Sequence, residues 1–273
     1  MAFARRGGEN APSSSPMEPS LSLHGQRALV TGGSRGIGLA FARTLARAGC
    51  DVVINHFDDE AKARSEAQAL ARESGTKIHP LAADVGDPVA ARAMVRAAGE
   101  QLGGLDILVS NAGICAFAPF LELSDASWRR HAAVNLDAGF YVGQEAARLM
   151  VAQGTGGRIV FTTSVGAFRS NATQTHYCAT KGGLALLAQG MAIELAPHAI
   201  TVNCIAPGWI HTDINDEASR DTAAVGAWLK NCPRGRLGRP EDLASALRFF
   251  CAASSDYVTG ATVTVDGGWN AQL

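Results

Sequence analysis

Short apolar runs rich in valine and isoleucine alternate along the chain with Ala/Arg/Leu-rich stretches of helical length. Six of these runs occupy residues 28–30, 52–54, 107–109, 159–161, 201–205 and 262–265, and three of the longer stretches occupy 38–48, 59–73 and 88–102. Strands with few polar positions are typical of a parallel sheet that helices cover on both faces. Because crossovers between such strands are right-handed, the pattern predicts an α/β fold with a Rossmann-like, doubly wound parallel sheet of about seven strands.

Charge and cysteine usage exclude several classes of partner. The chain has 24 Lys+Arg against 25 Asp+Glu, so it lacks the positive charge that neutralises a phosphate backbone, and we expect no nucleic-acid partner. Its six cysteines show no C-x-x-C spacing, which predicts no metal site and favours a reducing, cytoplasmic compartment. No apolar run reaches the roughly 18 residues that span a bilayer, so no membrane partner is expected.

A composition change divides the chain near residue 20. Residues 1–20 contain three prolines and four serines and have no hydrophobic period, so we interpret them as a disordered N-terminal tail. No linker interrupts residues 21–273, which are predicted to form a single domain.

A glycine-rich turn, Thr31-Gly32-Gly33-Ser34-Arg35-Gly36-Ile37-Gly38, joins the first predicted strand to the first predicted helix. Glycines allow the backbone to turn tightly and to approach a pyrophosphate closely, and the amides at the helix start point at the anion. A glycine turn without a ligand remains the alternative. Its position between a strand and a helix favours dinucleotide binding.

The turn and a series of later motifs resemble the short-chain dehydrogenase/reductase family, whose signature is T-G-x-x-x-G-x-G. The later motifs are Asp84, Asn111-Ala112-Gly113, Asn135, Ser164, Tyr177-x-x-x-Lys181, Pro207-Gly208 and Val265-Asp266-Gly267-Gly268. The resemblance covers residues 21–273. It implies an NAD(P)-dependent enzyme that transfers a hydride between the dinucleotide and a secondary alcohol or carbonyl group.

The predicted catalytic residues are Asn135, Ser164, Tyr177 and Lys181. Tyr177 and Lys181 are four residues apart and share one face of a helix, although such pairs also arise in ordinary amphipathic helices. A tyrosine with a pKa of about 10 is a poor base, and we expect the nearby ammonium to lower that pKa. Ser164 follows an apolar strand, where its hydroxyl could hold the substrate oxygen or merely cap a turn. By resemblance, Asn135 carries a water that links Lys181 to solvent.

The predicted cofactor residues extend from the glycine turn to the segment after the sixth strand. Asp84 is predicted to end the third strand. By resemblance, its carboxylate accepts a hydrogen bond from the adenine amino group, although it could instead belong to the cap of the next helix. Thr212 lies where family members touch the nicotinamide carboxamide. The full set is Gly32, Ser34, Arg35, Gly36, Ile37, Gly38, His56, Asp84, Val85, Asn111, Ala112, Gly113, Tyr177, Lys181, Pro207, Gly208, Ile210 and Thr212.

The end of the second strand favours NADP, with NAD as a possible second cofactor. NAD-preferring relatives usually place an acid at the position of His56, and that acid is absent here. Arg35 could bind a 2′-phosphate with help from His56. We interpret Asp58 and Asp59, with Glu60, as an acidic first turn of the following helix.

The predicted substrate residues are Cys115, Gln174, Trp209 and Asn215. The segments 111–115, 174–177 and 212–215 resemble those of bacterial aldose 1-dehydrogenases, especially L-rhamnose dehydrogenases. We therefore expect oxidation of a sugar or polyol, with the long loop at 207–233 closing over this small-molecule substrate. Gln174 and His176 could instead face solvent at a helix start.

Two other functions remain open. One is a ketoacyl or small-ketone reductase using NADPH, which would need a more apolar pocket mouth. The other is an inactive dinucleotide-sensing regulator. The resemblance also implies a homotetramer that pairs through the helices at 133–150 and 182–195 and through the last strand near Val263.

Overall fold

The computed structural model describes residues 21–212 and 220–271, and these residues build a seven-stranded sheet. Its strand order is β3-β2-β1-β4-β5-β6-β7, and every pair of neighbours is parallel. The strands are β1 (Arg27–Val30), β2 (Asp51–His56), β3 (Ile78–Ala82), β4 (Ile107–Ser110), β5 (Gly157–Thr162), β6 (Ile200–Pro207) and β7 (Thr262–Val265). The predicted α/β, doubly wound sheet is confirmed. The predicted tail at 1–20 and Asn215 lie outside the described residues.

Helices connect the strands and cover both sides of the sheet. They are α1 (Gly36–Arg47), α2 (Glu60–Ser74), α3 (Pro88–Leu102), α4 (Asp125–Ala132), α5 (Ala138–Gln153), α6 (Thr175–Leu195), α7 (Thr222–Lys230) and α8 (Ala244–Cys251). A π-helical turn at Ala133–Asp137 joins α4 to α5. No helix within the described residues is both long and apolar enough to cross a membrane.

Three predicted boundaries differ from the observed ones. The third strand ends at Ala82 rather than at Asp84, because β3 is an edge strand that pairs only with β2 and its side chains are mostly half-buried. Helix α1 begins at Gly36, two residues before the predicted start. The predicted loop at 207–233 contains α7, since the Asp221 carboxylate accepts hydrogen bonds from the Ala223 and Ala224 amides and so caps a helix there.

Two apolar layers cover the sheet, one on each face. Helices α3, α5 and α6 pack on one face, and α1, α2 and α8 pack on the other. Successive residues of β4 alternate between the layers: Leu108 belongs to the first, whereas Ile107 and Val109 belong to the second. The strands are thus buried on both sides, so polar groups gather where the strands end.

Hydrogen bonds tie the ends of four neighbouring strands together. The Thr31 hydroxyl after β1 accepts from the amides of Asn111 and Ala112 after β4, at 2.9 and 3.0 Å. The Asn55 side chain in β2 accepts from the Gly32 amide at 3.2 Å and donates to the Ala83 carbonyl at 3.1 Å. These contacts hold the loops at the carboxyl edge of the sheet in fixed positions.

Candidate active site

A cavity of about 990 Å³ lies along the carboxyl edge of the sheet. Most of the residues predicted for catalysis, cofactor and substrate line it. They are Gly32, Ser34, Arg35, Gly36, Ile37, His56, Asp84, Val85, Asn111, Ala112, Gly113, Cys115, Ser164, Gln174, Tyr177, Lys181, Pro207, Gly208, Trp209, Ile210 and Thr212. Of the other predicted residues in the described chain, Gly38 and Asn135 do not line the cavity.

The glycine turn forms a narrow cradle between β1 and α1. Gly32 and Gly36 have φ values of 62° and 53°, a left-handed conformation that glycine adopts without strain. Gly38 lies beneath the turn instead of in the cavity, where an added Cβ would collide with the Gly32 carbonyl and the Asn111 side chain. Its role is therefore close packing of α1 under the cradle, which differs from the predicted direct contact.

The end of β2 fits a phosphate-bearing dinucleotide. The His56 Nδ1 atom is buried beside the cavity and has no hydrogen-bond partner among the described residues. Arg35, half-exposed in the glycine turn, lines the same end of the cavity. A cationic side chain, an unpartnered imidazole nitrogen and the glycine cradle together suit a ribose phosphate.

Asp58 also faces this end of the cavity. Its carboxylate lies 4.0 Å from the Arg35 guanidinium. Asp59 is the residue that caps α2, because its side chain accepts from the Lys62 amide at 3.1 Å. The interpretation of Asp58 as part of an acidic first turn of α2 is therefore wrong, and its carboxylate instead faces the Arg35 guanidinium.

The far wall contains an ion pair that sequence reasoning missed. The Asp84 carboxylate accepts from the Arg130 guanidinium at 2.9 Å and from the Gly86 amide at 2.8 Å. Burial alone would raise the pKa of Asp84, but these hydrogen bonds hold it below its ordinary value. Arg130 also lies over the Phe57 ring. Asp87, rather than Asp84, caps α3.

Tyr177 and Lys181 lie on one face of α6, as the four-residue spacing predicts. The Lys181 ammonium is buried, donates to the Thr162 carbonyl at 2.8 Å and lies 5.7 Å from the centroid of the Tyr177 ring. Ser164 is hydrogen-bonded to Tyr177, and its hydroxyl also accepts from the Gly166 amide at 3.0 Å. Ser164 thus both caps a turn and supports the phenol.

Burial dominates the electrostatics of this pair. It raises the pKa of the Tyr177 phenol above its ordinary value, and the hydrogen bond with Ser164 only opposes that effect. Burial likewise lowers the pKa of Lys181 to about 8. The expected lowering of the pKa of Tyr177 by the ammonium is outweighed by burial, and Lys181 donates its hydrogen bond to the Thr162 carbonyl.

Asn135 lies behind the cavity wall, in the π-helical turn between α4 and α5. Its side-chain oxygen accepts from the Ile114 amide at 2.8 Å, and its amide nitrogen donates to the Ile114 carbonyl at 2.9 Å. The side chain thus holds the loop after β4 in place. The predicted water between Asn135 and Lys181 stays a prediction.

Three hydrogen-bonded side chains, Asn171, Gln174 and Cys115, lie next to Tyr177 and are called here the Gln174 chain. The Gln174 amide donates to the Cys115 sulfur at 3.3 Å and accepts from the Asn171 side chain at 3.2 Å. Burial raises the pKa of the Cys115 thiol, so the sulfur acts here as a neutral group. The prediction that Cys115 and Gln174 share one site is consistent with this contact, and Gln174 does not simply face solvent.

Three tryptophans also line the cavity. Trp228 stacks on Trp269 with ring centroids 4.4 Å apart and planes 7° from parallel, and Trp209 meets Trp228 edge-on at 5.9 Å. The predicted loop at 207–233 contains Trp228, but nothing in the sequence predicts that Trp269 packs against Trp228. Within the described residues, no group of three or more His, Cys, Asp or Glu side chains could hold a metal ion.

The comparisons with known proteins agree with this geometry. The family described as enoyl-(acyl carrier protein) reductase matches residues 32–270. A short-chain type dehydrogenase/reductase from Mycobacterium marinum is 36% identical in sequence, with a TM-score of 0.85 over 91% of this chain and 97% of that chain. The chain belongs to the short-chain dehydrogenase/reductase family.

Other members of the family include named sugar enzymes. L-rhamnose 1-dehydrogenase (NAD(P)(+)) from Azotobacter vinelandii is 43% identical over 88% of this chain and 94% of its own length. The structure of a gluconate 5-dehydrogenase from Burkholderia cenocepacia, in complex with NADP and tartrate, is 38% identical. Its TM-score is 0.88, covering 93% of this chain and 98% of that chain.

In this member of the short-chain dehydrogenase/reductase family, a histidine pair lies directly behind Tyr177. His176 is fully buried, and its ring lies 4.0 Å from that of His131. The His131 Nε2 atom accepts from the Ala116 amide at 3.1 Å, whereas neither ring nitrogen of His176 has a partner among the described residues. The alternative that His176 faces solvent is wrong. Burial and the neighbouring His131 lower the pKa of His176.

This burial predicts a specific loss of stability in mild acid. Below a pH of about 6.5 the unfolded chain protonates His176, whereas the folded protein resists protonation, so the free energy of unfolding falls as the pH drops. We expect wild-type protein to lose more thermal stability than His176→Leu between about pH 7.5 and pH 5.5. Melting curves at each pH check this, with the exposed His24→Leu as control. A constant difference between wild type and His176→Leu would contradict the prediction.

Proposed function

We propose that this protein is an NADP-dependent sugar dehydrogenase that oxidises the anomeric hydroxyl of an aldose and can also use NAD. One observation carries the proposal. The Tyr177–Ser164 pair shares a cavity with a dinucleotide-type glycine cradle at one end and with the polar Gln174 chain at the other. The names of the relatives from Azotobacter vinelandii and Burkholderia cenocepacia support this substrate class and these cofactors.

The chain's own residues supply the proton transfer. Ser164 holds the reacting hydroxyl beside Tyr177, and the phenolate form of Tyr177 takes up the proton that the hydroxyl loses when its carbon gives up a hydride. When bound, oxidised NADP supplies a hydride acceptor and a positive charge that favours the phenolate. Lys181 keeps a second positive charge within the buried site. Burial raises the pKa of Tyr177, which favours the protonated phenol.

The role of Tyr177 predicts a loss of chemistry without a loss of binding. We expect Tyr177→Phe to lower kcat by about a hundredfold or more, because it removes the acid–base group and keeps the ring. Titration with NADPH is expected to give a Kd within about twofold of the wild-type value. The fully exposed Tyr257→Phe serves as control. A variant that keeps near-normal kcat would refute the assignment.

Cofactor preference follows from the opposed charges at the ribose end. Arg35 favours a 2′-phosphate, and no acid occupies the position of His56. Asp58, 4.0 Å from Arg35, reduces that preference because its carboxylate would repel the phosphate. This balance supports NADP as the preferred cofactor while leaving NAD usable.

Removing the arginine is expected to change this balance. Arg35→Ala should weaken the binding of NADP by about tenfold or more and the binding of NAD only slightly, since a charge-assisted contact contributes about 1.5–3 kcal/mol. The measurement is the Kd of each cofactor, with Arg64→Ala, on the exposed face of α2, as control. If the wild-type protein binds NAD more tightly than NADP, the proposed preference is wrong.

The polar chain beside Tyr177 predicts discrimination among substrates. Gln174→Ala should lower kcat/KM for an aldose by about ten- to a hundredfold, because a buried substrate hydroxyl loses its partner at a cost of about 1–3 kcal/mol. The Kd for NADP should not change, and neither should the oxidation of a simple apolar alcohol. The exposed Gln101→Ala is a matched control. A substrate contact from Asn215 stays a prediction.

Two outcomes would replace this function by one of the alternatives. A wild-type protein that ignores every aldose and polyol but reduces apolar ketones or acyl thioesters is a ketone reductase. One that binds NADP and turns over none of these substrates is a regulator.

The exposed faces of two helices support a homotetramer. Leu186 and Ile193 are seven residues apart on α6, and they are 68% and 77% exposed. Phe140 on α5 is 41% exposed, and β7 is an edge strand with one unpaired side. Such apolar surfaces are typical of interfaces between copies of a chain. We expect light scattering to give a molar mass of four times the 28.4 kDa of one chain. A mass of 28.4 kDa would contradict the tetramer.

The cysteines support a cytoplasmic location. All six lie in the described residues, and each is a free thiol. Free thiols persist in a reducing compartment. We retain the interpretation of residues 21–273 as one domain.

A further inference from the structure

The three tryptophans of the cavity wall come from three different segments. Trp209 follows β6, Trp228 lies on α7, and Trp269 lies in the short 3₁₀-helix after β7. The stacked Trp228 and Trp269 rings are half-buried, and both still line the cavity. The two parallel indoles therefore cover one face of each other and form a stacked pair, defined here as the Trp228–Trp269 platform.

The platform belongs to the same end of the cavity as Tyr177. Strands β5 and β6 are neighbours, with Thr162 paired to Ile205, so the loops that follow them begin side by side. Ser164 follows β5, and Gly208 follows β6. Trp228 packs over Gly208, where an added Cβ would come within 3.2 Å of the indole. The platform thus lies at the catalytic end of the cavity, whereas Asp84 lies after β3 at the other edge of the sheet.

Helix α7 is mostly apolar in composition and half-exposed among the described residues. Its sequence, TAAVGAWLK, carries one charged residue, yet none of its side chains is fully buried. Ala224, Ala227 and Trp228 present an uncharged face to the cavity. An apolar surface of this kind is stabilised when a ligand covers it.

The catalytic end of the cavity consequently combines polar groups with an aromatic surface. Asn171, Gln174, Ser164 and Tyr177 supply hydrogen-bonding groups, and the indoles supply electron-rich faces. A sugar ring has matching surfaces, because its hydroxyls lie around the rim and its C–H bonds can form an apolar face. Aromatic faces carry partial negative charge and attract such C–H groups.

We propose that the Trp228–Trp269 platform is a substrate subsite that binds the C–H face of an aldose in its closed ring form, while the Gln174 chain binds the hydroxyls. This inference rests on the proposed function, because it assumes that an aldose is oxidised beside Tyr177. It adds that the enzyme selects a ring over an open chain.

The experiment compares Trp228→Ala and Trp269→Ala with Trp128→Ala. Trp128 is the fourth tryptophan, is 45% exposed on α4 and does not line the cavity, so it is a matched control. For each variant, kcat/KM is measured with ring-forming aldoses and with an acyclic polyol at saturating NADP, together with the Kd for NADPH.

We expect each platform variant to lower aldose kcat/KM by about tenfold or more through a raised KM. Oxidation of the acyclic polyol and the Kd for NADPH should change by less than about threefold. Trp228→Phe should recover much of the loss because it restores an aromatic face, and it also decides the matter if Trp228→Ala fails to fold.

Two results would overturn the subsite. One is aldose kcat/KM in both alanine variants within about twofold of Trp128→Ala. The other is an equal loss of NADPH binding, which would place the platform against the cofactor. If wild-type protein oxidises no aldose at all, the proposed function fails first and the subsite fails with it.

Discussion

Parallel pairing of the strands is the constraint on which the cavity depends. Because every strand of the described sheet runs in one direction, all of their carboxyl ends meet at one edge, where the apolar layers no longer cover them. The hydroxyl of Thr31 and the amide of Asn55 then lock the adjoining loops together. Polar groups that are far apart in sequence are thus held within one cavity before any ligand arrives.

Much of this arrangement could be predicted because it is encoded locally. The recurring Val/Ile runs predict buried parallel strands, and the glycine turn predicts the close approach of backbone at β1. The four-residue spacing of Tyr177 and Lys181 predicts their shared helical face. Each of these predictions depends on residues that are close in sequence, where periodicity and backbone geometry apply directly.

The rest depends on contacts between distant segments. Arg130 pairs with Asp84, which is 46 residues away in sequence. Trp269, which follows β7 in the chain, stacks on Trp228, which precedes it. The pKa of Tyr177 rises through burial, which a sequence motif does not report. The bonds from the Asn135 side chain to the Ile114 main chain likewise join separate segments. These features require the fold to be known.

The central claim is that a hydride leaves the anomeric carbon of an aldose beside Tyr177. The most direct measurement uses wild-type protein, NADP and an aldose substrate that carries deuterium at C1, with the reduced cofactor analysed by mass spectrometry. The account predicts slower turnover and one deuterium in the reduced nicotinamide. Deuterium that stays in the sugar product would show that another carbon is oxidised, and deuterium released to water would exclude direct hydride transfer.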